Sequence, residues 1–147
     1  MKITHGNLVF DFTFSESDNK YICQTFIGKH EVEIIIDKEL FDKHGKTKLA
    51  ESFTRIISLN FDKIVEKTEI WTKNLYDEVI SFESEDGFFE KLVLITLIDV
   101  ENGSSFKFEA EIPFFSRTNK VMDFNHSYTV RFSSIYDTIF MNGITRE

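Results

Sequence analysis

Four histidines, one cysteine and a surplus of carboxylates are the side chains of this 147-residue chain whose types could move protons, attack a carbonyl or hold a metal. His5, His30, His44 and His126 include no pair at the i,i+4 spacing that sets two imidazoles on one helical face, and a lone cysteine cannot build a thiolate site. No metal is therefore expected. His44, near Asp37 and Asp42 in a lysine-rich connection, reads as a solvated loop histidine. Asp123, His126 and Ser127 stand in an acid, base, nucleophile order, but neighbours along a strand entrance point to opposite faces, so a locally bonded histidine is the expectation. A hydrolase with an unrecognised site near His126 is kept as the lesser alternative.

Cys23 lies between Ile22 and Gln24 in an apolar run, with neither a cation nor a helix start to lower its pKa, and reads as a buried, inert thiol. Glu31 with Glu33, and Glu109 with Glu111, share strand faces that the alternation marks as outward, so these pairs read as solvated and not as general acids. Gly28, Gly45, Gly87, Gly103 and Gly143 are isolated, and Lys46-Thr47 after Gly45 lacks the rest of a phosphate loop. No residue is assigned a catalytic, cofactor-binding or metal-binding role, and no cofactor is expected.

Charge is the distinguishing feature. Ten acidic residues and two lysines lie between Asp77 and Glu111, while the rest of the chain carries fifteen of each sign, so the formal net charge of -8 comes from this stretch alone. A basic stripe that would match nucleic-acid phosphates is lacking, and a basic protein is the better-matched partner. Glu83, Glu85, Asp86 and Glu90 cluster around Phe88 and Phe89. An anionic rim beside aromatic anchors makes Glu83, Glu85, Asp86, Phe88 and Glu90 the candidate partner-binding residues.

These residues need elements to position them, and the hydrophobic period supplies the outline. Leu8, Phe10, Phe12 and Phe14 alternate as a strand; Tyr21–Ile27 and Glu31–Ile36 follow across short connections, giving an antiparallel meander. From Lys46 the period changes. Leu49, Phe53, Ile56, Ile57, Phe61, Ile64, Val65, Thr68, Trp71 and Leu75 recur at three and four over Thr47–Val79, with a break expected around Ser58–Asn60 and Asn60 as an N-cap.

Ser84 to Leu92 reads as a short capped helix. Val93–Val100 and Phe106–Ile112 read as strands about an Asn102-Gly103 turn, with a loop longer than two residues. The segment 114–125 fits a packed loop or an irregular strand pair, and Tyr128–Phe132 and Thr138–Met141 close the chain as strands. The expected architecture is a single α+β domain over 1–147, a largely antiparallel sheet with a helical middle packed on one face. No apolar stretch reaches the length of a membrane span, and the first residues lack the apolar core of a signal peptide. With one cysteine and hence no internal disulfide, a cytoplasmic location is expected.

Leu49–Val79, Phe88–Val100 and Asn125-His126 leading into Ser127–Phe132 resemble an uncharacterised family of small bacterial α+β proteins. Its closing strand pair begins with a Gly-His-like step, where this chain has Asn125. Some of those proteins are suspected to act as immunity or accessory proteins of toxin systems. The resemblance implies a non-enzymatic, immunity-like protein that docks onto a partner; a structural or oligomer-forming role is the other alternative.

Overall fold

The computed structural model describes residues 1–80, 87–89, 91–102, 105–116 and 127–147. The N-terminal alternation forms β1 (Lys2–His5), β2 (Leu8–Asp11) and β3 (Thr13–Ser15), then β4 (Lys20–Ile27) and β5 (His30–Asp37). The run expected as one strand over residues 8–14 is divided at Phe12: β2 pairs with β1, whereas β3 pairs with β4. Both Phe10 and Phe12 stay buried across that division. The β4–β5 turn is Gly28-Lys29, closed by the Ile27–His30 pair, with Gly28 at φ +61. That is the first-position glycine a type II′ turn demands.

Two helices follow. The first, α1 (Lys38–His44), occupies what reads in sequence as a loop, and it buries Phe41. Phe41 packs on Phe12 and Tyr21, with ring centroids 5.8 and 4.2 Å away. A single aromatic anchor leaves too little periodicity to announce so short a helix. Next, α2 (Lys46–Ile80) carries a non-helical residue at Asn60, φ -121 and ψ 15. The break thus falls where the pattern expects it. Two helical segments therefore meet at Asn60, as expected, although a ψ of 15 is not the extended value usual for an N-cap.

The buried stripe of α2 runs through Leu49, Phe53, Ile57, Phe61 and Ile64 to Thr68 and Thr72. Thr54 and Thr68 donate to the carbonyls of Ala50 and Ile64, which satisfies hydroxyls that the core would otherwise strand. Trp71, expected on this stripe, is 42 % exposed, because Thr72 takes the inward position one residue further on.

The second half is β6 (Gly87–Phe89), β7 (Leu92–Asn102), β8 (Ser105–Glu111), β9 (Phe114–Ser116), β10 (Tyr128–Ile135) and β11 (Thr138–Arg146). Of the helix expected over 84–92, residues 87–89 are a strand paired with β9. Gly87 is a poor helix former, and Phe88 and Phe89 pair across with Phe115 and Phe114. Residues 84–86 and 90 lie outside the described set. Asn102 pairs with Ser105, so the connection is two residues; Glu101 and Ser105, expected in a longer loop, belong to the strands.

The main sheet has the order β11-β10-β8-β7-β5-β4-β3. Every neighbouring pair is antiparallel except β5–β7. A parallel pair needs a long crossover, and α1 with α2 provides it. The largely antiparallel sheet with a helical middle on one face is therefore present as expected. Its inward residues, Ile34, Ile36, Ile95, Leu97, Phe108 and Phe132 among them, are sealed from solvent. Phe108 stacks on Phe132 at 5.2 Å and meets Phe53 of α2 edge-on at 5.7 Å, the arrangement that ring quadrupoles favour.

Candidate functional site

The opposite face of the sheet is the feature that needs explaining. Strand alternation sends every second residue to it, and the register sets those residues in rows. One row is Gln24, Glu33, Leu94 and Glu111; the next is Ile22, Ile35, Thr96, Glu109 and Arg131. Beyond the first row lie Phe26, Glu31 and Leu92. Alternation carries Ile98 to this same face, and the register shift between Leu97 and Asp99, which sets Ile98 and Asp99 together against Lys107, brings Asp99 there too.

Phe26, Ile98, Ile135 and Phe140 are each at least 45 % exposed here, while Ile22, Ile35, Leu92 and Leu94 are half-buried. A shallow depression of about 490 Å³ opens beside Phe26, Glu31 and Leu92. The helices pack on the other side, against the buried residues of the sheet. At one end the β10–β11 turn presents Tyr136, 74 % exposed and held at φ 55, a conformation seldom adopted by a bulky residue.

Electrostatics on this face are lopsided. Glu31, Glu33, Glu109, Glu111 and Asp99 share it with Lys107 and Arg131. Arg131 bonds Glu109 at 3.2 Å and reaches Glu147 at 4.0 Å, and Gln24 donates to Glu33 at 3.0 Å. Glu111 has no ion pair among the described residues. Burial first, then the charges of Glu109 and Glu147, push its carboxyl above the ordinary glutamate value. The expectation that Glu109 and Glu111 are simply solvated is thus corrected: both are half-buried, because flanking strands and the half-buried Leu94 crowd them.

The candidate residues read from sequence fare differently. Glu83, Glu85, Asp86 and Glu90 lie outside the described residues; Phe88 is in β6, opposite Phe115 of β9. Asp123 and His126 also lie outside them. Sequence reasoning concentrated on the contiguous acidic run and missed the discontinuous set from β5 and β8. The signal was present in the paired outward glutamates Glu31/Glu33 and Glu109/Glu111, but not in the knowledge that β7 brings them to either side of one strand.

The remaining reactive groups are structural. Cys23 is fully buried, and that burial raises its thiol pKa, as an inert cysteine requires. His30, half-buried, has Nε2 3.1 Å from Asp62 and its ring edge-on to Phe61 at 5.4 Å, tying the β4–β5 turn to the helix break. Ile27, Gly28, Leu59, Asn60 and Lys63 line a hollow of about 290 Å³ there. Ser58 and Asp62 also line it, but the Ser58 hydroxyl donates to the carbonyl of Arg55 at 2.9 Å, and the Asp62 carboxylate that meets His30 is 94 % exposed. His44 is not a loop residue; it ends α1 half-buried, with Nε2 lacking a hydrogen-bond partner. Among the described residues no group of three His, Cys, Asp or Glu side chains could hold a metal, and no helix is long and apolar enough to cross a membrane.

No protein-family model, curated protein or solved structure matches the chain.

Proposed function

We propose that this chain is a non-enzymatic protein-binding domain that docks the uncovered face of its main sheet onto a basic partner. The observation that carries the reading is the pairing of partly exposed apolar side chains with a carboxylate excess on one side of the sheet. Folding alone would be served by short polar residues at those positions; a half-buried Glu111 beside the charges of Glu109 and Glu147 is unfavourable until a cation faces it. Apolar anchors inside a charged rim are the composition of a protein interface. An immunity-like role, which the resemblance implies, fits this reading, because a neutralising protein acts by occlusion and needs a surface but no reactive cleft.

The test is neutralisation of the face: a Glu31→Gln, Glu33→Gln, Glu109→Gln and Glu111→Gln variant, with its thermal stability retained, titrated by calorimetry against lysine-rich and glutamate-rich peptides at low salt. Binding confined to the basic peptides, and lost in the variant, is the expected result. Equal binding of both peptides, or none of either, overturns the reading. One observation favours self-association as a second reading: β11, nine residues long without proline or lysine, stands at the sheet edge. A mass that doubles with concentration, and reverts on Asn142→Pro, would support it.

A further inference from the structure

We infer that the occupant of the open face is a basic amphipathic helix of about four turns lying along β7, its apolar side on Leu92, Leu94 and Ile98 and its cations reaching the glutamates of β5 and β8. This rests on the reading above and specifies the partner's shape. Glu31 stands beside Leu92, Glu33 and Glu111 flank Leu94 on its two sides, and Glu109 stands beside Thr96. Around Leu92 and Leu94 an apolar strand therefore lies between glutamates of two neighbouring strands, while Lys107 stands beside Ile98 and Arg131 pairs with Glu109.

Strands next but one to each other are about 9.6 Å apart, close to the 10 Å diameter of a helix. A helix seated on β7 would thus present its flanking positions to both carboxylate columns at once. Lysine and arginine suit those positions, since their stems can lie on Leu92 and Leu94 while their heads reach Glu33 and Glu111. Six residue steps from Leu92 to Ile98 span about 20 Å, which a helix covers in about 13 residues. An added strand would pair at an edge, not on a face. A second copy of this chain would set Glu33 and Glu111 against their own equivalents, so charge selects a partner of opposite sign.

The experiment uses the intact chain and three synthetic 14-residue peptides. The first is a leucine–lysine sequence with helical amphipathic spacing, the second has the same composition with two central D-residues that prevent a helix, and the third has glutamate in place of lysine. Affinity is read by calorimetry, helix formation by circular dichroism and location by amide chemical shifts. The helical basic peptide should bind, gain helicity and shift amides of β5, β7 and β8, and Glu33→Gln with Glu111→Gln should weaken it roughly five- to tenfold. Equal affinity for the D-residue peptide overturns the helix inference and leaves the basic-partner reading standing. Failure of both basic peptides, or equal binding of the acidic one, overturns both. Shifts on these strands that grow with protein concentration alone would identify a second copy as the occupant and also overturn the inference.

Discussion

Leu97 and Ile98 are neighbours on one strand with opposite fates, and truncating each to alanine weighs the two faces of the sheet against one another. Leu97 is 1 % exposed, pairs across to Phe108 and lies beside Ile36; Ile98 is 45 % exposed at the register shift. Leu97→Ala loses the transfer free energy of the removed carbons and leaves a cavity between the sheet and its helices, at a cost of about 3 kcal/mol. Ile98→Ala removes as much hydrocarbon from a site already half in water and leaves no enclosed void, which comes to about 1 kcal/mol. Alanine's lower strand preference enters both and largely cancels in the difference. Urea unfolding followed by circular dichroism, with m-values checked for equality, measures the two losses. A domain of this size has about 5–15 kcal/mol in hand, so both variants should fold. Losses within about 0.5 kcal/mol of each other would refute the assignment of an open face, since that result requires Ile98 to be as enclosed as Leu97.

Glu111→Gln should make stability less dependent on pH. A carboxyl whose folded pKa is raised stabilises fully below its unfolded value, near 4.5, and that contribution is lost as pH rises through the folded value. The variant should therefore be the more stable protein at pH 7 and not at pH 4, by less than about 1 kcal/mol because the group is partly solvated and screened; equal melting curves at pH 7 would remove Glu111 as a strained group. His30→Ala should cost about 1–2 kcal/mol through the lost ring packing and hydrogen bond, with faster amide exchange at the β4–β5 turn, whereas Asp62→Asn should stay within about 0.5 kcal/mol. Tyr136→Gly should raise stability by about 1 kcal/mol by relieving the left-handed backbone, measured as a shift in urea midpoint. Cys23 should react with an aromatic disulfide reagent only as fast as the chain opens, so that a burst of labelling in native buffer would contradict its burial.

Most of the architecture was legible in local periodicity. The alternation of Val32, Ile34 and Ile36, and of Phe106, Phe108 and Ala110, describes strands covered on one face, and the recurrence from Leu49 to Thr68 describes a helix that covers them. What failed did so where the local signal was thin or where partners decide. Phe41 alone could not announce α1. Gly87–Phe89 takes its extended form from β9, a partner 25 or more residues away that no short window contains. The parallel β5–β7 pair is equally non-local, and the candidate surface depends on it. Glu31 and Glu33 are nearly 80 residues from Glu109 and Glu111, and only the position of β7 between their strands makes them one feature.

The same non-locality explains why charge counted along the chain and charge arrayed on the surface point to different residues but to the same kind of partner. The acidic run between Asp77 and Glu111 ends in β8, so Glu109 and Glu111 belong both to the run and to the face. β5 contributes its two glutamates from a stretch whose overall charge is balanced. A sheet needs only one apolar side to fold against its helices. The second side is then constrained by solubility, which is met by charge of either sign or by mixed charge. An excess of one sign beside half-exposed leucine and isoleucine meets that need less well than balanced charge would, and it places Glu111 where its ionised form is disfavoured. A cation supplied by a partner removes that penalty at the same contact that covers the apolar column. On the proposed reading, recognition at this face would draw on a repulsion that the isolated fold sustains and would select against partners that bring further negative charge.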